Sequence, residues 1–365
     1  MLTGTEAGVM GSDATLSYDI VMATRNRPEA VALSLPLILR QTRPPARIVI
    51  VDSSDDPAPI EALAAEAARA GICPVDYMTS ERGSTVQRNL GIRSSGSDVI
   101  IFPDDDSLLY PDAAERILEI YEADPGGRVA AVCAAPAATA PPETLADLGS
   151  HAAERTGPLR RGLLALRQKA KERLSEANPF LSVGTRLNGR HELPGNLARM
   201  DVEPVPYMTG FRMSFRREAI ADGFDETLQR YSWFEDIDAS FTAMRRGIVV
   251  VARKALIYHH RTAAARDNGH RMGLWAILNR GYVVMKHVRA NPEVFPDPRP
   301  HARRLSAYCR ARAIAYRALA RDGFGRDRAR GAAEGVRRLS ALVATPLDSL
   351  SRTYRELESE RPESG

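Results

Sequence analysis

The chain has 365 residues, of which 44% are hydrophobic and 26% charged, so it is long enough for one large α/β domain or two modest ones, and its composition excludes a disordered polypeptide. The formal charge is +4, and no run approaches the ~20 apolar residues that cross a bilayer. The N-terminus lacks the basic segment and apolar core of a signal peptide. Three widely separated cysteines argue against a disulfide framework and a zinc site, so we expect a cytoplasmic protein.

The first third of the chain alternates between buried-strand and helix patterns, after a small, polar tail that we expect to be flexible over residues 1–16. The predicted strands are residues 18–24, 47–52, 75–80 and 98–103. The predicted helices are residues 29–41, 59–72 and 84–96. This order is typical of an α/β fold with a doubly wound, mostly parallel sheet flanked by helices, in which ligands bind beyond the carboxyl ends of the strands.

The remainder of the chain continues this pattern less regularly. A fifth strand is predicted over residues 128–136, and a variable helical insert over residues 137–200 contains a basic amphipathic helix at 158–179. Further predictions are a helix at 239–247, a buried strand within 248–260, a helix at 270–291 and a basic helical extension over 292–365. The sequence therefore places a large helical segment after the predicted sheet.

The stretch VIIFPDDDSLLY runs from a predicted strand directly into Asp104, Asp105 and Asp106. Three adjacent like charges repel one another unless something positive lies among them. On a tight turn, Asp104 and Asp106 can aim at one point while Asp105 faces away, and oxygen donors favour Mg²⁺ or Mn²⁺. Asp52 ends a neighbouring predicted strand and brings a fourth carboxylate to the same edge. The alternative is a solvated, acid-rich turn.

Five segments in this order together resemble the family 2 glycosyltransferases of the GT-A fold. They are VMATRNRP, IVIVDSSDD, VQRNLGIRSSGSDVIIFPDDD, YMTGFRMSFRREAI and GFDETLQRYSWFEDIDASF, within residues 17–290. The resemblance implies a metal-dependent, inverting enzyme that moves a sugar from a nucleoside-diphosphate sugar to an acceptor hydroxyl on a glycan, a polysaccharide or a lipid-linked molecule. It also implies a nucleotide-sugar-binding half over residues 17–136 and an acceptor-binding half over residues 201–291.

The resemblance also assigns residues to the donor. Thr24 and Arg25 are implied to line the nucleotide base, Asp52 to contact the base ring, and Arg88 to approach the base or the diphosphate. Thr24 ends the first predicted strand and Arg25 follows it, Asp52 ends the second strand, and Arg88 lies on the third predicted helix.

The acidic triplet matches the DXD motif of the family. The resemblance places Asp104 near the ribose and the metal, makes Asp105 a further donor-binding residue, and makes Asp106 a metal ligand, with Mn²⁺ or Mg²⁺ as the cofactor. Gly210, in YMTGF, is implied to lie under the sugar, where a glycine lets backbone approach a ligand closely. A glycine required only by a turn would look the same.

The segment WFEDIDASF resembles the ED motif of the family, in which one carboxylate deprotonates the acceptor hydroxyl. We assign Asp236 as this base and Glu235 as an acceptor-binding partner, but the two acids are adjacent and the reverse order remains open. The alternative is that the acids only complement a helix dipole. Trp233 is predicted either to stack on an acceptor sugar or to belong to the core.

Two histidines, His259 and His260, end the last predicted strand, and only one of them can face the cleft because successive residues of a strand point to opposite faces. The resemblance implies that a histidine here completes the metal shell or contacts the diphosphate. We predict that His259 does so.

The basic segments 158–173 and 301–345 indicate solvated helix faces by default. A second interpretation is that these segments contact the anionic inner face of a membrane. The resemblance implies lipid-linked acceptors at such a surface. Nucleic acid is not an expected partner, because no module of stacking aromatic residues accompanies the arginines.

The alternative function is a non-catalytic nucleotide-sugar or glycan-binding protein on the same fold. Two intact acidic motifs favour the enzyme. The enzyme interpretation requires Asp52, Asp106 and Asp236 to rim one shared cleft.

Overall fold

The computed structural model describes residues 15–144, 176–228, 233–260 and 268–359. Most of the predicted tail and nearly all of the predicted basic helix at 158–179 lie outside the described residues.

A mixed sheet forms the centre of the molecule. The strands of the described residues are β1 (Tyr18–Thr24), β2 (Arg47–Asp52), β3 (Val75–Thr79), β4 (Val99–Phe102), β5 (Ser107–Leu109), β6 (Val129–Pro136), β7 (Val202–Pro204), β8 (Met213–Arg216) and β9 (Ile248–His259). Their order is β3-β2-β1-β4-β8-β6-β9-β5, with β7 paired to β9. Strands β5, β7 and β8 run antiparallel to the other six, so the sheet is mostly parallel in direction.

Helices cover both faces of this sheet. Those of the described residues are α1 (Pro28–Leu39), α2 (Ala58–Arg69), α3 (Ser84–Ser94), α4 (Ala113–Glu122), α5 (Pro179–Asn188), α6 (Glu235–Ala243), α7 (Gly269–Ala290), α8 (Arg299–Leu319), α9 (Gly323–Ala344) and α10 (Leu350–Ser359). Helices α1, α2 and α4 pack on one face, and α5, α6 and α7 on the other. The predicted fold class, an α/β sheet with flanking helices and a C-terminal helical extension, is confirmed.

Alternation along β1 explains why the sheet is buried on both faces. Ile20 and Met22 belong to one hydrophobic cluster, whereas Val21 between them belongs to the other. Both faces therefore require apolar side chains, and the strand reads as a continuous apolar run. The register places Thr24 beside Asp52, and Ala23 bridges to Asp104. The ends of β1, β2 and β4 thus meet at one edge of the sheet.

The main local differences from the sequence predictions concern short elements. Strands β5, β7 and β8 have only three or four residues each, too few to give a recognisable alternation. The helix predicted at 239–247 begins earlier, at Glu235, and ends at Ala243. The two acids of the ED segment therefore lie in its first turn.

The C-terminal helices belong to the main core. Leu305 and Cys309 of α8 and Leu339 of α9 are buried in the same cluster as one face of the sheet. Helices α7 and α9 approach so closely that a Cβ atom at Gly331 would lie 1.8 Å from the backbone oxygen of His270. The extension is therefore continuous with the α/β core.

We expect Gly331→Ala to lower the free energy of unfolding by about 1–3 kcal/mol, because the added methyl group must push two helix backbones apart. Chemical denaturation measures this loss. The matched control is Gly323→Ala in the same helix, where an added Cβ meets nothing within 4 Å. Equal stabilities of the two variants would contradict the close contact.

Candidate active site

Arg27 places a positive group against two of the three adjacent aspartates. Its Nη1 atom lies 2.6 Å from Asp105 Oδ1, and its Nη2 atom lies 2.5 Å from Asp106 Oδ2. The residue sits in the turn between β1 and α1, after Asn26 in the left-handed conformation with φ 53°. The sequence predictions did not include Arg27, although the mutual repulsion of the aspartates signalled that a cation was needed.

Asp105 points into the protein and anchors the acidic turn. Its carboxylate accepts a hydrogen bond of 2.9 Å from the Thr24 hydroxyl and is only 3% exposed. Burial raises the pKa of Asp105 to about 7, although Arg27 opposes the shift. This side chain therefore joins the turn to β1 and does not line the cavity described below.

Asp104, Asp106 and His259 form a cluster whose ligand atoms all lie within 4.8 Å of one another. His259 Nε2 lies 3.2 Å from Asp106 Oδ1, and the imidazole stacks on Phe211 with ring centroids 4.6 Å apart. Burial alone would raise the pKa of Asp106, but the hydrogen bond to His259 and the charge of Arg27 lower it to about 2. His259, the predicted histidine, is thus the one whose ring reaches the acids.

The donor set of this cluster fits a divalent cation. Two carboxylates and an imidazole suit Mn²⁺, and hard oxygen donors also suit Mg²⁺. The carboxylates of the two acidic motifs outnumber the guanidinium groups of Arg27 and Arg88 that contact them. The acidic turn around Asp104 and Asp106 therefore favours a further positive charge.

Arg88 connects the two acidic motifs across the sheet. Its Nη1 atom donates to Glu235 Oε1 at 2.8 Å, and its Nη2 atom donates to Asp104 Oδ1 at 2.9 Å. Burial alone would lower the pKa of Arg88, but Glu235 and Asp104 outweigh burial and raise it. A permanently charged bridge thus fixes the relative positions of the DXD and ED segments.

The neighbours of Arg88 hold its helix in place. Gln87 Nε2 donates to the backbone oxygens of Thr24 and Val51, at 2.7 and 2.8 Å, at the ends of β1 and β2. Asn89 exchanges two hydrogen bonds with the backbone of Phe224. Three successive residues of α3 therefore contact the ends of β1 and β2, the acids of the DXD and ED segments, and the loop before α6.

Glu235 and Asp236 share a buried environment that disfavours their charged forms. Burial and the charge of Asp236 raise the pKa of Glu235 to about 8, and burial raises that of Asp236 to about 6. Asp236 Oδ2 accepts a hydrogen bond of 2.9 Å from the Gly210 backbone N–H. A Cβ at Gly210 would lie 3.7–3.9 Å from Arg88, Asp236 and Asp104, so Gly210 sits between the two motifs.

Phe234 directs the two acids into the site through a strained backbone. Its φ of 80° and ψ of 13° are left-handed, which costs a bulky residue roughly 1–3 kcal/mol. Its ring packs 4.9 Å from the Phe180 ring and 4.5 Å from the Arg280 guanidinium. These contacts hold the turn from which Glu235 and Asp236 project.

A cavity of about 580 Å³ contains Asp104, Gly210, Glu235, Asp236 and His259. Aromatic side chains and arginines of α7, α8 and α9 also line it. The half-buried indole of Trp233 lines it, with the Arg328 guanidinium 5.3 Å from the ring centroid.

Four predicted donor residues, Thr24, Arg25, Asp52 and Asp105, lie outside the lining of this cavity. Asp52 is fully buried, and its carboxylate accepts hydrogen bonds from the Ser54 and Tyr77 hydroxyls at 2.5 and 2.9 Å. Arg25 forms an exposed ion pair of 2.8 Å with Asp55. Of the three acids expected at one shared rim, only Asp236 lines this cavity. Asp106 is represented there by its cluster partners Asp104 and His259, and Asp52 is excluded because nearby hydroxyl groups already bind its carboxylate.

Comparison with known proteins gives a family match for the first part of the chain. Residues 19–169 match the model described as Glycosyl transferase family 2. An uncharacterized glycosyltransferase, YwdF, of Bacillus subtilis is 33% identical over 30% of this chain and 40% of its own length. An uncharacterized glycosyltransferase of Haemophilus influenzae is 27% identical over 29% of this chain and 35% of its own length. The chain thus spans less than half of these relatives, and the predicted family resemblance is confirmed for this region.

Two solved structures are similar over most of the chain. The mannosyltransferase PcManGT from Pyrobaculum calidifontis, in complex with GDP-Man and Mn²⁺, has a TM-score of 0.47 and 13% identity, covering 94% of this chain and 87% of its own. S. aureus TarS 1–349, in complex with UDP, has a TM-score of 0.45 and 12% identity, covering 94% and 90%.

Proposed function

We propose that this chain is a metal-dependent, inverting glycosyltransferase that moves a sugar from a nucleoside-diphosphate sugar to an acceptor hydroxyl. The supporting observation is that one cavity brings Asp104 and His259 together with Glu235 and Asp236, with Arg88 between the two groups. The family match over residues 19–169 supports the donor half of this proposal.

At the donor end, Asp104, Asp106 and His259 would hold the divalent cation, Mn²⁺ or Mg²⁺. A bound divalent cation supplies positive charge against the charge that develops on the diphosphate leaving group. Arg27 keeps the Asp106 carboxylate ionised and oriented. The proposed cation site thus combines the Asp106 carboxylate, which Arg27 holds in position, with the neighbouring imidazole of His259.

At the acceptor end, Asp236 takes the proton of the acceptor hydroxyl. Its raised pKa, about 6, leaves it mostly ionised at neutral pH yet more basic than an ordinary aspartate, as general-base catalysis requires. The Gly210 N–H holds one of its oxygens. Glu235, which bonds to Arg88, contacts the acceptor, and a single displacement inverts the anomeric carbon.

We also propose that one side of α8 lies against an anionic membrane surface. No helix among the described residues is long and apolar enough to cross a membrane. However, Ile314 is 70% exposed and shares a helix face with the exposed Arg310 and Arg317, at spacings of four and three residues. Apolar and basic side chains on one exposed face favour interfacial binding.

A panel of nucleoside diphosphates, tested by thermal denaturation with and without Mn²⁺, examines the proposed function. We expect at least one of them to stabilise the protein only in the presence of the metal, because a ligand at about 100 times its dissociation constant adds roughly 2.7 kcal/mol. Mn²⁺ alone and each nucleotide with a chelator are the controls. A panel without any metal-dependent stabilisation would contradict the proposal.

A further inference from the structure

Arg280 is a buried guanidinium in the cavity, and within the described residues it has no carboxylate partner. It is 5% exposed, its Nη1 donates to the Ala276 backbone oxygen at 2.7 Å, and its Nε has no hydrogen-bond partner there. Aromatic rings surround it, with the centroid of Phe234 at 4.5 Å. Burying an unpaired charge is costly, so this arrangement indicates a missing anion.

Two further arginines enter the same cavity from the C-terminal helices. Arg312 of α8 and Arg328 of α9 both donate to the Tyr316 hydroxyl, at 2.7 and 3.1 Å. The Arg328 guanidinium also lies 4.3 Å from the Tyr316 ring centroid. Neither arginine contacts a carboxylate among the residues that the structure covers, and the Nε atom of each is buried without a hydrogen bond there. Three positive charges therefore line one side of the cavity.

The carboxylates on the other side of the cavity do not compensate these charges. Glu235 and Asp104 are bound to Arg88, and the buried Asp238 nearby is bound to Lys286 and His287. Asp236, the remaining acid of the lining, accepts hydrogen bonds from the backbone N–H groups of Gly210 and Ile237, so no carboxylate of the described lining contacts the three arginines.

We propose that this surface binds a phosphate group carried by the acceptor, an inference that rests on the proposed function. We call it the arginine wall, and it consists of Arg280, Arg312, Arg328, Trp233 and Tyr316. Guanidinium groups form paired hydrogen bonds with the oxygens of a phosphate. Three guanidinium groups match the charge of a phosphate dianion better than the single charge of a carboxylate. The indole and phenol faces provide an apolar surface for the adjoining sugar or polyol.

The position of the arginine wall favours the acceptor over the donor. Arg280 packs on the ring of Phe234, which directly precedes Glu235 and the proposed base Asp236. The proposed metal ligands belong to β9 and to the turn after β4, whereas the arginines come from α7, α8 and α9. A phosphate on the wall would therefore orient an acceptor hydroxyl toward the base.

Titration calorimetry with sn-glycerol 3-phosphate tests the inference, in parallel with inorganic phosphate and with acetate. The test variant is Arg312→Gln/Arg328→Gln, and the matched control is Arg310→Gln/Arg317→Gln, which removes the same charge from the outer face of α8. We expect glycerol 3-phosphate binding to weaken at least ~10-fold in the test variant and to stay unchanged in the control. We also expect the test variant to melt no lower than the wild type, because it loses uncompensated like charge.

Three results would overturn the inference. These are unchanged glycerol 3-phosphate binding in the test variant, acetate binding as tight as phosphate binding, or loss of metal-dependent nucleoside-diphosphate binding in the test variant, which would assign the arginines to the donor. The titration requires neither metal nor nucleotide. Its failure is therefore distinguishable from a failure of the proposed function.

Vesicles of phosphatidylglycerol, with phosphatidylcholine vesicles as a blank, distinguish the source of the phosphate. If the Arg312→Gln/Arg328→Gln variant loses vesicle binding together with glycerol 3-phosphate binding, the inference holds with a lipid-borne phosphate. If only the Arg310→Gln/Arg317→Gln variant loses vesicle binding, the inference holds with a soluble phosphate, and the membrane meets the outer face of α8.

Discussion

The Asp236→Asn variant should lose sugar transfer by about 10²–10⁴-fold while it keeps metal-dependent nucleoside-diphosphate binding. The amide has nearly the same shape and its oxygen still accepts the hydrogen bond from the Gly210 N–H, but it cannot take a proton from the acceptor. The donor cluster around Asp106 and His259 is left intact. Initial rates of transfer, with nucleotide binding measured on the same sample, give both quantities.

The control for this variant is Asp222→Asn, an equal change at an exposed residue whose side chain keeps 74% of its surface. In the wild type, kcat/KM is expected to rise with pH above the range of an ordinary aspartate, since burial raises the pKa of both acids of the ED segment and the base must lose its proton. Full activity of Asp236→Asn would contradict the assignment.

The Asp106→Asn variant should lose the metal-dependent stabilisation by nucleoside diphosphates. Asp106 supplies one of the three ligand groups of the cluster, and an amide is a much weaker ligand for a divalent cation than a carboxylate. Thermal denaturation with Mn²⁺ and the nucleotide identified in the panel measures this loss.

Asp105→Asn is the matched control, because it changes the adjacent residue in the same way. Asp105 faces Thr24 and Arg27, and its raised pKa, about 7, means that its neutral form is well populated at neutral pH. An amide is therefore tolerated there, and metal-dependent binding is expected to persist. Equal losses in the two variants would show that the acidic turn as a whole, and not Asp106, is responsible.

The regular part of the fold could be predicted from the sequence because its strands are buried on both faces and read as apolar runs. The bounds of β1 and β2 agree with the predicted strands at 18–24 and 47–52. The antiparallel strand β8, four residues long, could not be found in this way. Its place between β4 and β6 depends on pairings between segments far apart in the chain.

The parts of the candidate site that consist of residues adjacent in the sequence could be predicted. The DXD and ED segments are local patterns, and Arg27 could have been inferred from the need to neutralise them. Asp238 shows the limit of such patterns, because it follows Asp236 closely in the chain but forms an ion pair with Lys286 and a hydrogen bond with His287, both at 2.8 Å. Only the packing of α7 against α6 distinguishes this structural acid from its neighbours.

The arginine wall was not predictable from the sequence. Arg280, Arg312 and Arg328 lie on three different helices, and each alone looks like part of a solvated basic face. They come together because α7, α8 and α9 pack against one another, an arrangement that depends on long-range contacts.

The close glycine contacts between α7 and α9 couple the position of α9 to the shape of the cavity. A Cβ at Gly273 would lie 2.0 Å from the backbone oxygen of Arg328, so the residue that presents one guanidinium to the cavity also touches the neighbouring helix. Bulkier residues at such glycines would move α9 as a rigid unit and carry that guanidinium with it. Grafting the helical segment onto another catalytic domain should therefore require that the glycines of both helices be transferred together.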